Sequence, residues 1–423
     1  MRFIADLHIH SRYSRAASKE MSPEALWKWA QLKGISVIGT GDFTHPEWLR
    51  ELREKTDVEG KGLLTLNKKF RKEDVPASCR ADLFFLLSAE ISCIYRKNDK
   101  TRKIHAVVLA PSFDDVQRIN RALSKIGNLS ADGRPILGLD AKELLKIVLD
   151  VSTSCIFIPA HAWTPHFSVF GAASGFDSLD ECFEELTPHI HAIETGLSSD
   201  PAMNWRLSAL DGLTLISNSD AHSPAKIGRE ATIFDTGFSF AEIADSIRTR
   251  KGLLGTIEFF PEEGKYHYDG HRSCASCLLP KETIRRNGLC PVCGKRVTIG
   301  VMHRIEKLAD RDEGFRPEGA PPFYSVIPLQ EIISETLQVG VASRAVRNEY
   351  AKVIERLGNE FGVLLEAPLE DIGSAGFPRL RQAIEKMRSG DISISPGYDG
   401  EYGKVKIFGR KAKIESKGQG LLY

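Results

Sequence analysis

Seven short apolar segments alternate with amphipathic stretches over the first 262 residues, which is the pattern of β-strands separated by α-helices. Continuous apolar strands are buried on both faces, so the pattern predicts an α/β fold with a parallel sheet. In an α/β barrel the carboxyl ends of such strands meet on one face, and that face carries the active site. The predicted strands are FIADLHIH, SVIGTGD, DLFFLLSAEI, IHAVVLAP, SCIFIPAH, HAIETG and LTLISNSD.

Six of these seven strands end in a residue that can bind a metal. His8 and His10 project together, because residues two apart in a strand face the same side. His105 is the exception, since it lies at a strand's start. A single residue of this kind is more often a helix cap or a turn former, but six strands that each supply one predict a metal cluster. The strand-end residues are His8, His10, Asp42, Glu90, His161, Glu194 and Asp220.

The overall composition is that of an ordinary globular protein. The chain has 423 residues, of which 42% are hydrophobic and 27% charged, enough for two or three domains. The net charge of +1 gives no global attraction to nucleic acid, although it leaves room for a local basic face. No run approaches the ~18 apolar residues of a membrane span, and the start, MRFIADLHIH, lacks the core of a signal peptide. We therefore expect a cytoplasmic protein.

The eight cysteines fall into two classes. Four are scattered along the chain, as expected of buried apolar side chains. The other four form two CxxC pairs. In a chain without an export signal this spacing predicts one structural zinc ion held by four thiolates, and not disulfides. The predicted zinc ligands are Cys274, Cys277, Cys290 and Cys293.

The segment around these cysteines is basic, since residues 265–311 hold ten Lys or Arg against four Asp or Glu. This balance favours contact between a zinc ribbon and the DNA backbone, while a ribbon that only holds its domain together is the alternative. The basic residues beside the cysteines are Arg285, Arg286, Lys295 and Arg296.

Composition also divides the chain into three regions. The α/β pattern covers residues 1–262, and the cysteine-rich segment covers residues 263–312. A Pro/Gly-rich linker, EGFRPEGAPPFY, then leads into a mainly helical region with a flexible tail, residues 313–423. We therefore predict a barrel domain, a zinc-ribbon domain and a helical C-terminal region.

Several motifs resemble those of the PHP (polymerase and histidinol phosphatase) superfamily, in the same order: DLHIHSRYS, GTGD, SAE, HAVVLAP, PAHAW, IHAIETG and SNSDAHS. The resemblance implies a distorted (β/α)7 barrel with a two- or three-metal phosphoesterase site. It assigns the first metal to His8, His10, Glu90 and Asp220, the second to Glu90, His105 and His161, and a third to His222. Two further ligands of the third site are missing, because Phe43 follows Asp42 and RYSRAAS has no histidine. We therefore expect two divalent metals, Zn, Mn or Mg, and leave the third site open, with His45 as a substitute ligand.

The order of the regions narrows the resemblance. A PHP barrel, a CxxC…CxxC ribbon and a helical region together resemble the endonuclease Q family. This implies a metal-dependent DNA repair endonuclease, nucleoid-associated, that cuts 5′ to deaminated bases (uracil, hypoxanthine, xanthine) and at abasic sites. One alternative is a PHP-type phosphatase of a small phosphomonoester, which would not need the ribbon. Another is a DNA-binding protein without catalysis, which would predict missing metal ligands.

These expectations assign roles to further residues. The candidate catalytic residues are Glu90, Asp220, Asp42 and His222. The candidates for binding the scissile phosphate, with a solvated loop as the alternative, are Arg12, Arg15 and Lys19. The loop AWTPHFSVFGAASGF is either a base pocket or a hydrophobic lid. Its candidate stacking residues are Trp163, His166, Phe167 and Phe170.

The last five residues, QGLLY, resemble the short peptide with which bacterial proteins bind the sliding clamp. Gln419, Leu422 and Tyr423 match that peptide, whereas Gly420 stands where it usually has leucine. A frayed terminus is the alternative. We therefore expect lesion-containing DNA as the main partner and the sliding clamp as a second one.

Overall fold

A mixed β-sheet forms the centre of the first 260 residues in the structure, a computed structural model that describes residues 1–409. Eleven strands belong to this sheet, and three two-stranded sheets lie outside it. The strands are β1 (Arg2–Asp6), β2 (Val37–Gly39), β3 (Thr56–Glu59), β4 (Leu63–Leu66), β5 (Phe84–Lys97), β6 (Lys100–Ala110), β7 (Ile136–Leu137), β8 (Ile156–Pro159), β9 (Ala192–Glu194), β10 (Thr214–Ile216), β11 (Ala231–Asp235), β12 (Leu253–Glu258), β13 (Asp269–His271), β14 (Ser276–Leu278), β15 (Phe323–Ser325), β16 (Ser393–Ser395) and β17 (Lys404–Lys406).

The large sheet runs in the order β15-β12-β11-β1-β2-β5-β4-β3, while β6 pairs with β5 and β8. The pairs β1–β2 and β2–β5 are parallel, but β6 is antiparallel to both of its neighbours. A tight hairpin at Lys97 and Lys100 joins β5 to β6, and only antiparallel strands permit so short a connection. The sheet is therefore parallel only in part. All seven predicted strands are present, and the expected α/β barrel class is confirmed.

Several of the helices begin at a residue whose side chain caps the first turn. The helices are α1 (Pro23–Lys33), α2 (Pro46–Lys55), α3 (Phe113–Leu123), α4 (Ala141–Val151), α5 (Leu179–Phe183), α6 (Pro201–Asn204), α7 (Phe240–Thr249), α8 (Pro280–Arg285), α9 (Val301–Leu308), α10 (Leu329–Leu337), α11 (Arg344–Leu357), α12 (Leu369–Ser374) and α13 (Pro378–Ser389). Ser22 caps α1 by accepting the Ala25 N–H, and Gly34 ends it in a left-handed conformation (φ 88°). Within residues 1–409, none of the helices combines the length and hydrophobicity needed to cross a bilayer.

Alternate residues of the first strand separate the apolar core from the polar site. Phe3, Ala5 and Leu7 pack in one buried apolar cluster with side chains from β5, β6 and β8. Asp6 and His8, which alternate with these residues in the sequence, are buried on the opposite face, because successive side chains of a strand point to opposite sides. Burial of each large apolar side chain stabilises the fold by about 1.5–3 kcal/mol. The apolar core therefore packs against the face of β1 opposite to the site residues and holds this strand in place.

The cysteine-rich segment is a small β-structure between the barrel and α9. β13 and β14 form a hairpin, and Gly270 of this hairpin also bridges to Thr298. The Asp269 carboxylate accepts a hydrogen bond from the Gly300 N–H (2.7 Å) and lies 2.7 Å from His303 Nδ1. These contacts fix the hairpin to the start of α9.

Several contacts tie the C-terminal region to the barrel, among them a strand pairing and a buried ion pair. β15 pairs in parallel with β12, so the Pro/Gly-rich linker ends in an extra strand of the large sheet. Lys33 of α1 forms a buried ion pair with Glu360 (2.8 Å), and the Tyr350 hydroxyl donates a hydrogen bond to the same carboxylate (2.9 Å). Removal of one partner from such a buried pair costs about 3–5 kcal/mol. The helical region, as predicted, follows from α10 onward, but it begins as part of the barrel's sheet.

Candidate active site

Four side chains from three separate strands meet at one end of the barrel. His8 and His10 follow β1, Glu90 lies in β5 and Asp220 follows β10, and one ligand atom from each lies within 4.8 Å of the others. His10 Nε2 is 2.8 Å from Asp220 Oδ1 and 3.2 Å from Glu90 Oε2. His8 Nε2 is 3.6 Å from each of these two oxygens. We call these four residues the first ligand group.

A second ligand group consists of Glu90, His105 and His161. His105 Nδ1 lies 2.6 Å and His161 Nε2 lies 3.0 Å from Glu90 Oε1. His105 lies in the middle of β6 and not at a strand's start as predicted, and it pairs with Ser92 of the antiparallel strand β5, which places it beside Glu90. Glu90 presents one oxygen to each group, which is the arrangement expected of a bridging carboxylate.

These separations suit divalent metal ions. Ligand atoms that bind one ion at ~2.0–2.2 Å lie about 3–4 Å from each other, and the separations given above, from 2.6 Å to 3.6 Å, are close to this range. Among residues 1–409, His8 Nε2 is a buried atom without a hydrogen-bond partner, although buried polar atoms almost always have one. The ring directs this atom toward the carboxylates, where a metal would take its lone pair. Divalent ions held here supply Lewis acidity and an activated water for phosphoester hydrolysis.

The charge state of one ring of the second group also fits a metal. Burial lowers the pKa of the His105 ring to about 4, so the ring is neutral at neutral pH. Neutral imidazole is the form that binds metals. The Glu90 carboxylate faces the permanent positive charge of Arg134 (Nη1–Oε2 2.8 Å), which favours its anionic form.

A buried carboxylate fixes the other nitrogen of each histidine ring in the first group. His8 Nδ1 lies 3.0 Å from both Glu194 oxygens. His10 Nδ1 lies 3.0 Å from Asp42 Oδ1, and the second Asp42 oxygen accepts hydrogen bonds from the Ser11 N–H and hydroxyl, both at 2.6 Å. Such bonds select the ring tautomer that leaves Nε2 free for a metal. Asp42 is fully buried behind His10, which fits a role in orienting that ring, and its predicted catalytic role stays a prediction.

Three site residues adopt a left-handed backbone conformation that non-glycine residues rarely take. They are Asp42 (φ 47°), His161 (φ 29°) and Asp220 (φ 47°), and each follows a strand. Such strain costs about 1–3 kcal/mol per residue and persists only where the surroundings enforce it. The chain bends sharply after β2, β8 and β10, and the fold stabilises these bends at the site.

The site opens to solvent beside Asp220 and His222, whose side chains are 27% and 31% exposed. The His222 ring lies 4.3 Å from the His10 ring, centroid to centroid, and its Nδ1 is 2.8 Å from the Asp220 carbonyl oxygen. His222 belongs to neither ligand group, and His45 stacks on Tyr13 instead of approaching His222. Within residues 1–409, the structure therefore forms no third group around His222.

A positive side chain that no sequence pattern reveals lies against the ligands. Arg134 follows α3 in the loop SADGRP, which matches no motif, and only the folded chain brings it to Glu90. Of the basic residues predicted to bind the phosphate, Arg12 forms an ion pair with Glu51. The other two, Arg15 and Lys19, have exposed side chains.

Two of the four predicted stacking residues are excluded from DNA by burial. Trp163 and Phe170 are 1% and 2% exposed and pack on each other within the core. His166 is exposed, and Phe167 is half-buried with its ring 4.6 Å from the His105 ring. An irregular loop has no periodicity from which the direction of a side chain can be predicted, so sequence reasoning did not separate the two pairs.

The helix that follows the ribbon holds this loop in place. Arg304 of α9 donates hydrogen bonds to the carbonyl oxygens of Phe170 (2.9 Å) and Phe176 (2.6 Å). The same guanidinium forms an ion pair with Asp177 (2.6 Å). The loop beside the second ligand group is therefore fixed by a residue from outside the barrel.

A third set of ligand atoms lies in the cysteine-rich segment. His271, Cys274, Cys290 and Cys293 place one ligand atom each within 4.8 Å of the others, and Cys293 Sγ is 3.4 Å from His271 Nδ1. Cys277 is exposed on β14 and lies outside this group. The predicted set of four thiolates is therefore corrected to three thiolates and one imidazole, which is also a ligand set of structural zinc.

Turn geometry explains the correction. Ala275 (φ 49°) follows Cys274, and Gly294 (φ 71°) follows Cys293, so a left-handed residue comes directly after the second ligand of each turn. The first ligand of each turn then lies three residues earlier, which is His271 in one turn and Cys290 in the other. CxxC spacing alone does not show which of two overlapping turns forms.

The remaining predicted binding residues are at the surface or in the tail. The basic residues of the ribbon have exposed side chains, as contact with DNA requires: Arg285, Arg286, Lys295 and Arg296. The predicted clamp-binding residues lie outside the described residues: Gln419, Leu422 and Tyr423.

Two family descriptions match parts of the chain. Residues 204–251 match the family described as PHP-associated, and residues 328–391 match the family described as MJ0043 C-terminal domain. The chain is 32% identical over 263 residues to MJ0043 of Methanocaldococcus jannaschii, which covers 60% of this chain and 32% of that protein. It therefore spans about a third of that relative. It is 31% identical over 417 residues to YqxK of Bacillus subtilis strain 168, which covers 95% of this chain and 98% of YqxK.

Two solved structures resemble the chain over nearly its whole length. The lesion-specific endonuclease PfuEndoQ from Pyrococcus furiosus has a TM-score of 0.84 and 30% identity and covers 98% of both chains. Endonuclease Q in complex with a 27-mer duplex that carries an abasic lesion at its active site has a TM-score of 0.82 and 30% identity. That likeness covers 99% of this chain and 100% of that one.

At the end of this barrel, two groups of buried histidines and carboxylates share the two oxygens of Glu90. Such an arrangement in a barrel of this type defines a metal-dependent phosphoesterase. The identity over nearly the full length then fixes the family. The chain belongs to the endonuclease Q family. The resemblance in the sequence and the predicted enzyme class, a metal-dependent endodeoxyribonuclease, are thereby confirmed.

Proposed function

We propose that the protein is a DNA repair endonuclease that hydrolyses the phosphodiester 5′ to uracil, hypoxanthine and xanthine and at abasic sites. The observation that carries the proposal is the pair of buried ligand groups that share Glu90 and open to solvent at Asp220. The proposal places two divalent ions, Zn, Mn or Mg, in the barrel and one zinc ion in the ribbon. The relative whose structure contains a duplex with an abasic lesion supports DNA as the substrate.

Each part of the site has a role in this proposal. His8, His10, His105 and His161, with Glu90 and Asp220, hold the ions. Asp220 and His222 line the open side, where the phosphodiester enters, and His222 is positioned to exchange a proton with the reacting groups. The exposed cations of the ribbon hold the DNA backbone outside the barrel.

A damaged nucleotide reaches the site only after it leaves the base stack, because the ligands are buried. Unstacking and unpairing cost a few kcal/mol and cost least when the base pairs poorly or is absent. This difference favours abasic sites and deaminated bases over normal pairs. Of the four predicted stacking residues, Phe167 and His166 are exposed enough to contact the extruded nucleotide.

A nicking assay on matched duplexes tests the proposal. Each end-labelled duplex carries one uracil, hypoxanthine, xanthine or abasic site, and an undamaged duplex of the same sequence is the control. We expect nicks on the 5′ side of each lesion that a chelator abolishes, and no nick in the control duplex. Nicks at abasic sites alone would overturn the assignment of deaminated bases.

The outcome that would overturn the whole proposal is the absence of nicks on every duplex together with hydrolysis of a small phosphomonoester. That result would identify a phosphatase of the PHP type. The same enzyme preparation serves both assays, so an inactive preparation is recognised by failure in both.

A further inference from the structure

The Arg134 guanidinium lies against the carboxylate that both ligand groups share. Its Nη1 is 2.8 Å from Glu90 Oε2, and its side chain is 26% exposed, so it is buried on the Glu90 side and open toward solvent. Among residues 1–409, no second hydrogen bond engages this guanidinium, although the group has five N–H donors. Donors that remain free beside a metal-ligand cluster are placed to meet a substrate.

The loop that carries Arg134 is held firmly against the ligand-bearing segments. The Gly133 N–H donates to the Tyr13 carbonyl (3.0 Å), and the Thr44 hydroxyl donates to the Gly133 carbonyl (3.1 Å). A Cβ at position 133 would lie 2.3 Å from Asp42 Oδ2, so only glycine fits there. The base of the Arg134 side chain is therefore fixed to the same framework that orients the ligands.

The other cations near the HxH motif are less suited to the reacting phosphate. Arg12 already forms an ion pair with Glu51, and Arg15 and Lys19 are exposed. Exposed, flexible cations attract DNA over long distances, whereas a reacting group needs partners held to within ~0.5 Å.

We propose that Arg134 contacts the scissile phosphate directly. Its free N–H donors bind the non-bridging oxygens of the phosphate, while its Nη1 remains hydrogen-bonded to Glu90. A planar guanidinium presents paired donors that match phosphate oxygens. Negative charge on those oxygens has to be stabilised during hydrolysis, so preorganised donors act most strongly in the transition state. This inference rests on the proposed function and deepens it, because it names a substrate-binding residue of the same site.

Binding of inorganic phosphate to the metal-loaded protein, measured by calorimetry, tests the contact without any reaction. We expect Arg134→Gln to weaken phosphate binding at least about 10-fold, as the loss of a charge-assisted pair predicts. Arg134→Lys should give a smaller loss, since it keeps the charge and loses the paired geometry. The matched control is Arg118→Gln on α3, where the arginine pairs with Asp115 outside all ligand groups. This control should bind phosphate like the wild type.

Kinetics on a lesion duplex give the second measurement. Arg134→Gln should lower kcat about 10²–10³-fold and change KM by less than about 3-fold, the loss expected when one preorganised donor to a transition-state oxyanion is removed. Metal content is measured on every variant, because Arg134 also touches a metal ligand. If Arg134→Gln loses metal, Arg134→Lys at full metal content decides. Weakened phosphate binding supports the inference, and unchanged binding overturns it.

The inference and the proposed function fail in different ways. If the wild type nicks lesion duplexes while Arg134→Gln, with full metal, nicks and binds phosphate equally well, Arg134 is only a partner of Glu90 and the inference is wrong. If the wild type nicks no duplex, the proposed function is wrong, and the calorimetric result still decides whether Arg134 binds phosphate.

Discussion

The barrel and the ribbon assemble their ligand atoms in opposite ways. In the barrel, the ligands come from strands far apart in the chain, and buried carboxylates such as Glu194 and Asp42 orient the rings. In the ribbon, two short turns supply all four ligands, and Cys293 is exposed. The barrel site therefore depends on the whole fold, whereas in the ribbon a bound ion would hold the two turns together.

The difference extends to what each group can do. The barrel ligands leave one side open at Asp220, as a catalytic site requires, while the three thiolates and one imidazole of the ribbon would complete a tetrahedral zinc site. The two regions are still connected, since Arg304 of α9 fixes the loop beside the second ligand group. The ribbon can thus support the geometry of a site whose chemistry it does not perform.

Replacement of a barrel ligand at the open edge should have the largest effect. We expect Asp220→Ala to lower kcat/KM for a lesion duplex at least about 10³-fold, because a metal ligand is lost from a site that cannot work without it. DNA affinity should remain within about 3-fold of the wild type, since the ribbon cations are untouched. Asp245→Ala on the exposed face of α7 is the control. Retained cleavage in Asp220→Ala would show that the ligand assignment is wrong.

The zinc content of single variants should distinguish the ribbon ligands from Cys277, which lies outside the ligand group. Structural zinc contributes about 10–16 kcal/mol of apparent binding free energy in small zinc modules, so loss of a ligand should remove the ion outright. We expect His271→Ala and Cys290→Ser each to lose the ribbon zinc. Cys277→Ser, the matched control on β14, should keep it, as measured by elemental analysis after desalting. Zinc loss in Cys277→Ser with retention in His271→Ala would restore the four-thiolate set.

A buried carboxyl group should make the stability of the barrel depend on pH. Burial raises the pKa of Glu258 to about 8 from 4.5, so the folded protein keeps a proton that the unfolded chain releases. The folded state therefore binds more protons between these two values, and its stability falls as the pH rises through this window. Glu258→Gln stays neutral, so its unfolding free energy should gain on the wild type by about 1.4 kcal/mol per pH unit there.

Urea unfolding at about pH 5 and about pH 8 measures this effect, with the exposed Glu318→Gln in the linker as the control. Parallel stability curves for wild type and Glu258→Gln would mean that Glu258 is already charged in the folded protein.

The smallest predicted effect is the salt dependence of DNA binding. Each of Arg285, Arg286, Lys295 and Arg296 is exposed beside the ribbon ligands. Replacement of Arg286 by Gln should reduce the slope of log affinity against log salt by about 1 if it contacts a phosphate. Arg344→Gln on α11, also exposed, serves for comparison. An unchanged slope after the same replacement at each of the four positions would leave the ribbon with a structural role only.

The two regions also differ in how much the sequence predicts. The barrel ligands are predictable because strand ends converge, so each of His8, Glu90, His161 and Asp220 is marked by its place after or within a strand. Arg134 is not, because it lies in a loop without a motif and only tertiary contacts bring it to Glu90. For Trp163 the sequence leaves a base pocket and a hydrophobic lid as alternatives, because the direction of a side chain in an irregular loop depends on packing.

The ribbon shows the converse. Its CxxC spacing is the most specific local pattern in the chain, yet it names Cys277, which the turn leaves out in favour of His271. Spacing in the sequence fits two overlapping turns, and the left-handed conformation at Ala275 selects between them. A local motif predicts the kind of site here, and backbone geometry decides its members.

Stepwise chelation tests whether catalysis depends on the barrel ions and not on the ribbon zinc. A mild chelator should first remove the barrel ions through the open edge at Asp220 and abolish nicking of a lesion duplex, while about one zinc per chain remains in the ribbon. Return of Mn²⁺ or Zn²⁺ should then restore nicking without any change in ribbon zinc. If activity disappears only when the ribbon zinc leaves, or persists after the barrel ions are gone, the catalytic centre does not lie at the barrel ligands.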